Sequence, residues 1–107
     1  MDLSQYAIVL VNLDPTIGSE IQKTRPCVIV SPNEMNKYIK TVVICPMTPN
    51  LKVYPTRVPV TLNTKKGMIV VEQIRTIDKS RIIKILGELD SKEIKILKSV
   101  VKETFVN

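Results

Sequence analysis

Short runs of Val, Ile and Leu, repeatedly interrupted by proline, asparagine and lysine, constrain this chain more than any other feature of its sequence. They fall at 7–13 (AIVLVNL), 26–31 (PCVIVS), 41–46 (TVVICP), 57–62 (RVPVTL), 68–77 (MIVVEQIRTI) and 84–89 (KILGEL). Branched side chains pack well on a pleated surface, and turn residues at these intervals predict the strands of a small barrel or sandwich. Pro59 has no amide to give to a ladder, so its strand is expected at an edge or a bulge. "CVIV" and "VVIC" are apolar at every position, so both of their faces need cover. One face belongs to the barrel interior; a helix or a second subunit must cover the other, and a homodimer is expected.

The periodicity changes once, near the end. In "DSKEIKILKSVVKETF" the residues Ile94, Leu97, Val101 and Phe105, widened by Ile96 and Val100, form one apolar stripe of a helix. Asp90 or Ser91 is suited to accept from its first-turn amides, and Glu93 complements the dipole there. A shorter helical turn is expected over "NEMNKY" after Pro32.

With 107 residues, 44% of them hydrophobic, the chain supports one core, so residues 1–107 are expected to form a single domain. No apolar run approaches a membrane span, and "MDLSQYAIVLVNLDP" lacks the basic start and small-residue cleavage site of a signal peptide. A cytoplasmic location, with no membrane partner, is the expectation. Cys27 and Cys45 lie inside apolar runs and read as small buried hydrophobes. Histidine is absent from the chain and no Asp, Glu and Cys cluster has ligand spacing, so neither a metal nor a cofactor is expected. Any chemistry must proceed without imidazole. The formal charge of +6 and the pI near 9.5 favour a polyanionic partner.

Polar residues gather at strand ends. The loop over 14–25 carries Thr16, Ser19, Glu20, Lys23 and Arg25; Thr48 follows another strand; Glu72, Gln73, Arg75, Thr76 and Asp78 lie in or beside a third. If the barrel brings these ends together, they form a cationic, hydroxyl-lined groove. Arg25 offers a planar guanidinium suited to phosphate oxygens, and Gln73 an amide able to read a base edge. Local rules also allow plainer roles. Arg25 is placed to pair with Glu20 or Asp14, Thr48 to shape the turn before Pro49, Asn36 to end a helix, and Arg75 to organise the groove wall.

"LDPTIGSE", "RPCVIVS", "CPMT" and "EQIRTIDKSR" occur in the order and spacing of one family, and from about residue 7 to 105 the chain resembles the MazF/PemK/Kid toxins of type II toxin–antitoxin modules. The likeness is nearest to the MazF-type branch. It implies a mainly β fold with helices, a compact SH3-like (CcdB/MazF-like) barrel with a C-terminal α-helix, and a homodimer. It implies a sequence-specific, metal-independent endoribonuclease that cuts single-stranded mRNA and leaves 2′,3′-cyclic phosphate and 5′-hydroxyl ends. The catalytic pair would be Arg25 and Thr48, with Glu20 as a supporting acid or base and Glu72 and Asp78 as alternatives. RNA would be bound by Thr16, Ser19, Lys23, Asn36, Glu72, Gln73 and Arg75. A cognate antitoxin with an acidic, disordered C-terminal segment would neutralise it. The alternative on the same fold is a non-catalytic toxin or binding module, such as a CcdB-like gyrase inhibitor or an RNA-binding protein. The chain departs from the Kid-like branch in having no histidine in the first loop and Val70 and Glu72 where an Asp and Arg pair is associated with function. "IQK" replaces the usual glycines before Arg25.

Overall fold

The apolar runs do form strands, in a computed structural model that describes residues 2–106. In chain order the elements are β1 (Ala7–Asn12), β2 (Thr24–Ile29), α1 (Asn33–Tyr38), β3 (Thr41–Thr48), β4 (Arg57–Leu62) and β5 (Lys65–Val70). They continue with a 3₁₀ turn (Val71–Gln73), β6 (Arg75–Asp78), a second 3₁₀ turn (Lys79–Arg81), β7 (Ile82–Glu88) and α2 (Ser91–Phe105). All strand pairings are antiparallel, in the order β4-β5-β3-β2-β1-β7, with β6 also on β3. This is the mainly β, partly open barrel with a C-terminal helix that the sequence leads one to expect. Pro59 sits on β4, an edge strand, where its missing amide leaves no gap in the ladder.

The doubly apolar runs are explained within one chain. On β1 and β2 the odd-numbered Val9, Val11, Cys27 and Ile29 enter one core cluster with Val42, Ile44 and Ile77. Ile8, Val28, Cys45 and Met47 enter a second cluster, closed by Leu97 and by the partly buried Ile94, Ile96, Val100 and Val101 of α2. The helix is therefore the cover for the second face, and these runs do not by themselves require a second subunit. Asp90 accepts from Glu93 N at 2.7 Å, while Glu93 Oε1 accepts from Asp90 N at 3.0 Å and Oε2 from Thr61 N at 2.9 Å. This reciprocal cap, with its third bond to β4, fixes the start of α2 against the sheet. Phe105, expected in the stripe, is instead 51% exposed, because the core contact of α2 ends a turn earlier.

Three strand boundaries differ from expectation in ways that matter. β2 begins at Thr24, so Arg25 is part of a strand and pairs with Val11 instead of lying in the loop. β3 runs on to Thr48. The stretch 68–77 is two strands, since the 3₁₀ turn interrupts it. Both halves pair with β3, but the register of β6 lies three residues out of step with that of β5, the length of the turn. The extra residues cannot join the ladder, so Glu72 and Gln73 are pushed out of it. β7 likewise begins at Ile82, earlier than the expected 84.

Candidate active site

Arg25 and Thr48 belong to neighbouring antiparallel strands, and the register brings them together. Cys27 pairs with Pro46, and two residues further along each strand stand Arg25 and Thr48. Both line one cavity of about 220 Å³, together with Pro26, Met47, Pro49, Leu62, Lys65, Lys66 and Gly67. Among the described residues the one ion pair is Arg57 with Glu72, so Arg25 pairs with neither Glu20 nor Asp14. Its Nε is buried and has no hydrogen-bond partner. A buried donor left unpaired is costly, and an anion entering the cavity would satisfy it. Thr48 Oγ1 accepts from Asn50 N at 3.2 Å, which shapes the turn and leaves the hydroxyl proton free to donate.

The cavity lining contains cations, a hydroxyl and apolar groups but no carboxylate. Of the three acids considered for proton transfer, Asp78 is the most remote. It pairs with Thr41, seven residues and roughly 23 Å along β3 from Thr48. Its carboxyl is held below the usual range by hydrogen bonds from Ser80. Glu72 is bound by Arg57, at 2.8 Å from Nη2 and 3.1 Å from Nε, and by the Thr56 hydroxyl at 2.8 Å. The Arg57 bonds chiefly hold its carboxyl below the usual range, which makes it a poor base. Glu20 Oε1 accepts from Ile17 N at 2.6 Å and so supports its own loop.

Glu20, Glu72, Gln73 and Arg75 line a different cavity of about 210 Å³, with Leu13, Ile21, Pro46 and Ile74. Pro46 lines this second cavity, while Met47 and Thr48, the next residues of β3, line the first. Gln73, the expected base reader, has its amide engaged. Its Oε1 accepts from Ile21 N at 2.7 Å and its Nε2 donates to Ser19 O at 3.4 Å, so it fastens the first loop to the 3₁₀ turn. Arg75 Nη1 donates to Leu13 O at 3.3 Å, the organising role that local rules allowed. Thr16, Ser19 and Lys23 stay in the loop and line neither cavity.

Asn36, one of the residues expected at RNA, lies largely inside the fold. It is 4% exposed and interlocked with Ser31: the Ser31 hydroxyl donates to Asn36 Oδ1 at 2.5 Å, and Asn36 Nδ2 donates to Ser31 O at 2.9 Å. Ser31 Oγ in turn accepts from Val43 N at 3.0 Å, so the pair fastens α1 to β3. Cys27 and Cys45 are buried and unbridged, with thiols pushed up to about 12 chiefly by burial, which makes them inert packing residues.

Sequence reasoning missed Lys65, Lys66 and Gly67. Their charge and position in "NTKKG" were visible, but their place beside Arg25 arises only because β5 pairs with β3 at Met47 and Thr48. A Cβ on Gly67 would lie 2.9 Å from Thr48 O, so only glycine allows that approach.

Comparison with known proteins gives a consistent result. A family model described as PemK-like, MazF-like toxin of type II toxin-antitoxin system matches residues 4–105. Endoribonuclease MazF of Staphylococcus saprophyticus is 34% identical over 100 residues, covering 88% of this chain and 83% of that protein. The crystal structure of MazF from Deinococcus radiodurans superposes with a TM-score of 0.84 at 24% identity over 94% of each chain. A MazE–MazF complex from the same organism gives 0.78 at 20% identity, covering 96% of this chain and 94% of that one.

Proposed function

The chain belongs to the PemK-like, MazF-like toxin family of type II toxin–antitoxin systems, and from that premise we propose that it is a sequence-specific endoribonuclease using Arg25 and Thr48 on single-stranded RNA. The observation that supports this best is that Arg25 and Thr48 line one cavity, with the Arg25 Nε left without a hydrogen-bond partner. The 2′ oxygen attacks the adjacent phosphorus, the bond to the 5′ oxygen breaks, and a 2′,3′-cyclic phosphate and a 5′-hydroxyl result. One proton leaves the 2′ oxygen and one appears on the 5′ oxygen, so the reaction consumes neither water nor a metal ion. Arg25 stabilises the charge that builds on the phosphorane. Thr48 donates its hydroxyl proton to a phosphate oxygen and orients the scissile group.

The same cationic cavity favours an acidic, disordered antitoxin segment, which would order on binding and exclude RNA. A MazF of known structure is paired with a MazE partner, and this chain shares its fold. A homodimer is part of the reading. β7 is an edge strand on which Ile83 and Ile85 are 53% and 46% exposed, an apolar surface that a second copy would cover.

The test is incubation with a long single-stranded RNA in excess EDTA, followed by end mapping. Discrete cuts with cyclic phosphate ends are expected, with a loss on the order of 10²–10³ in Arg25→Ala. Intact RNA with tight binding would favour a non-catalytic module, and inhibited DNA supercoiling a gyrase poison.

A further inference from the structure

Lys65 and Lys66 are cations that the structure leaves unneutralised among the described residues. They enter the cavity of Arg25 and Thr48 from the β4–β5 hairpin, and among the described residues neither makes an ion pair. The hairpin is fixed relative to Thr48 in two ways. Met68 pairs with Thr48 and Ile69 with Met47, and the Gly67 backbone lies against the Thr48 carbonyl. Its turn is the two-residue Asn63–Thr64, both at positive φ, between the paired Leu62 and Lys65. Two cations on a short, rigid hairpin are thus held at a set position beside the unpartnered guanidinium.

The same hairpin leads away from the cavity. Lys66 and Gly67 also line a groove of about 390 Å³ between β4 and α2, with Pro59, Met68, Ile96, Lys92 and Glu93 on its walls. A strand whose phosphate is held at Arg25 and Thr48 can pass over Lys66 into this groove, where Lys66 and Lys92 stand beside Pro59, Met68 and Ile96, and where the Glu93 carboxylate is taken up by the amides of Asp90 and Thr61. Single-stranded RNA needs both, cations for its phosphates and apolar surface for its bases.

We propose, building on the endoribonuclease reading, that Lys65 and Lys66 form a second phosphate site flanking the scissile one, which directs the adjoining nucleotides of the RNA over the hairpin into the groove beside α2. They act as positioning residues. The proposal predicts a definite salt dependence, because each phosphate neutralised on a single strand adds about 0.7 to the slope of log affinity against log salt.

The experiment uses a single-stranded DNA copy of the mapped cut region, which lacks the 2′-hydroxyl and stays intact. Its binding is titrated from about 50 to about 200 mM salt, the span over which phosphate contacts weaken most visibly. For Lys65→Gln/Lys66→Gln, which removes that one phosphate site, the slope is expected to fall by about 0.7, so that the variant loses about 2.6-fold less affinity than the wild type across that range. Lys40→Gln/Lys95→Gln changes the net charge equally at exposed positions outside the cavity and the groove, and is expected to keep the wild-type slope. Lys65→Arg/Lys66→Arg is expected to restore it. Equal slopes for the hairpin and control variants, or no salt-dependent binding by the wild type, would overturn the proposal. The endoribonuclease reading stands or falls separately, on cleavage by the wild type and its loss in Arg25→Ala.

Discussion

Replacing Gly67 with alanine adds one methyl group at the point where β5 crosses closest to the candidate site. The added Cβ would sit 2.9 Å from the Thr48 carbonyl oxygen and 3.7 Å from its carbon. Both are backbone atoms held by the Thr48–Met68 pairing, so no side chain can swing away and the strands must separate. Overpacking of this kind costs about 1–3 kcal/mol. Alanine also restricts the unfolded chain, which returns about 0.4–1 kcal/mol. The net expectation is a loss of about 1–2 kcal/mol, or a Tm lower by roughly 5–15 °C for a domain of this size. RNA cleavage should suffer more than stability, because a shift of a few tenths of an ångström at Thr48 disturbs its alignment with Arg25, and misplacement by 1 Å costs on the order of 10²-fold. Gly87→Ala is the internal comparison. There the new Cβ meets Leu62 Cδ1 at 3.3 Å, the movable end of a side chain, so little or no net loss is expected. Urea denaturation and a cleavage time course on both variants decide the matter. Gly67→Ala as stable and as active as Gly87→Ala would refute the reasoning.

Two further outcomes follow from strain and charge. Thr64 is β-branched yet held at φ +69° in the hairpin turn, so Thr64→Gly should raise stability by about 1 kcal/mol in urea denaturation. Glu72 has a carboxyl held below its unfolded value, chiefly by the Arg57 bonds, so its contribution is present above the unfolded value and lost as pH falls through the folded one. Because its side chain is 37% exposed, that contribution should be no more than about 1 kcal/mol after screening, and Glu72→Gln should flatten stability at the acid end without altering it by more at neutral pH.

Much of the architecture was legible because it is local. Turn residues and Val/Ile runs locate the strands, and the spacing of Ile94, Leu97 and Val101 with Asp90 ahead of Glu93 locates α2. The break at Val71–Gln73 was not legible, since every residue from Met68 to Val71 is an acceptable strand former and only the registers of two strands on β3 reveal the turn. Gln73 read as a free amide because its partner Ile21 lies 52 residues away, and Asn36 read as a surface residue because nothing local shows that Ser31 encloses it.

The amino-acid order alone determined that this chain builds a small, basic, mainly β fold closed by one amphipathic helix, while Arg25 and Thr48 were picked out as a pair through the family resemblance its motifs carry. Hydrophobic period, turn chemistry and capping act over a few residues, and such information is written along the chain. Tertiary structure alone decided which groups share a space with Arg25. Strand register set Thr48 beside it and, with the close approach that Gly67 allows, brought Lys65 and Lys66 to the same cavity, while Glu20, Glu72 and Gln73 line another with Pro46. Register depends on how distant segments pair, and a one-residue change there moves every side chain to the opposite face.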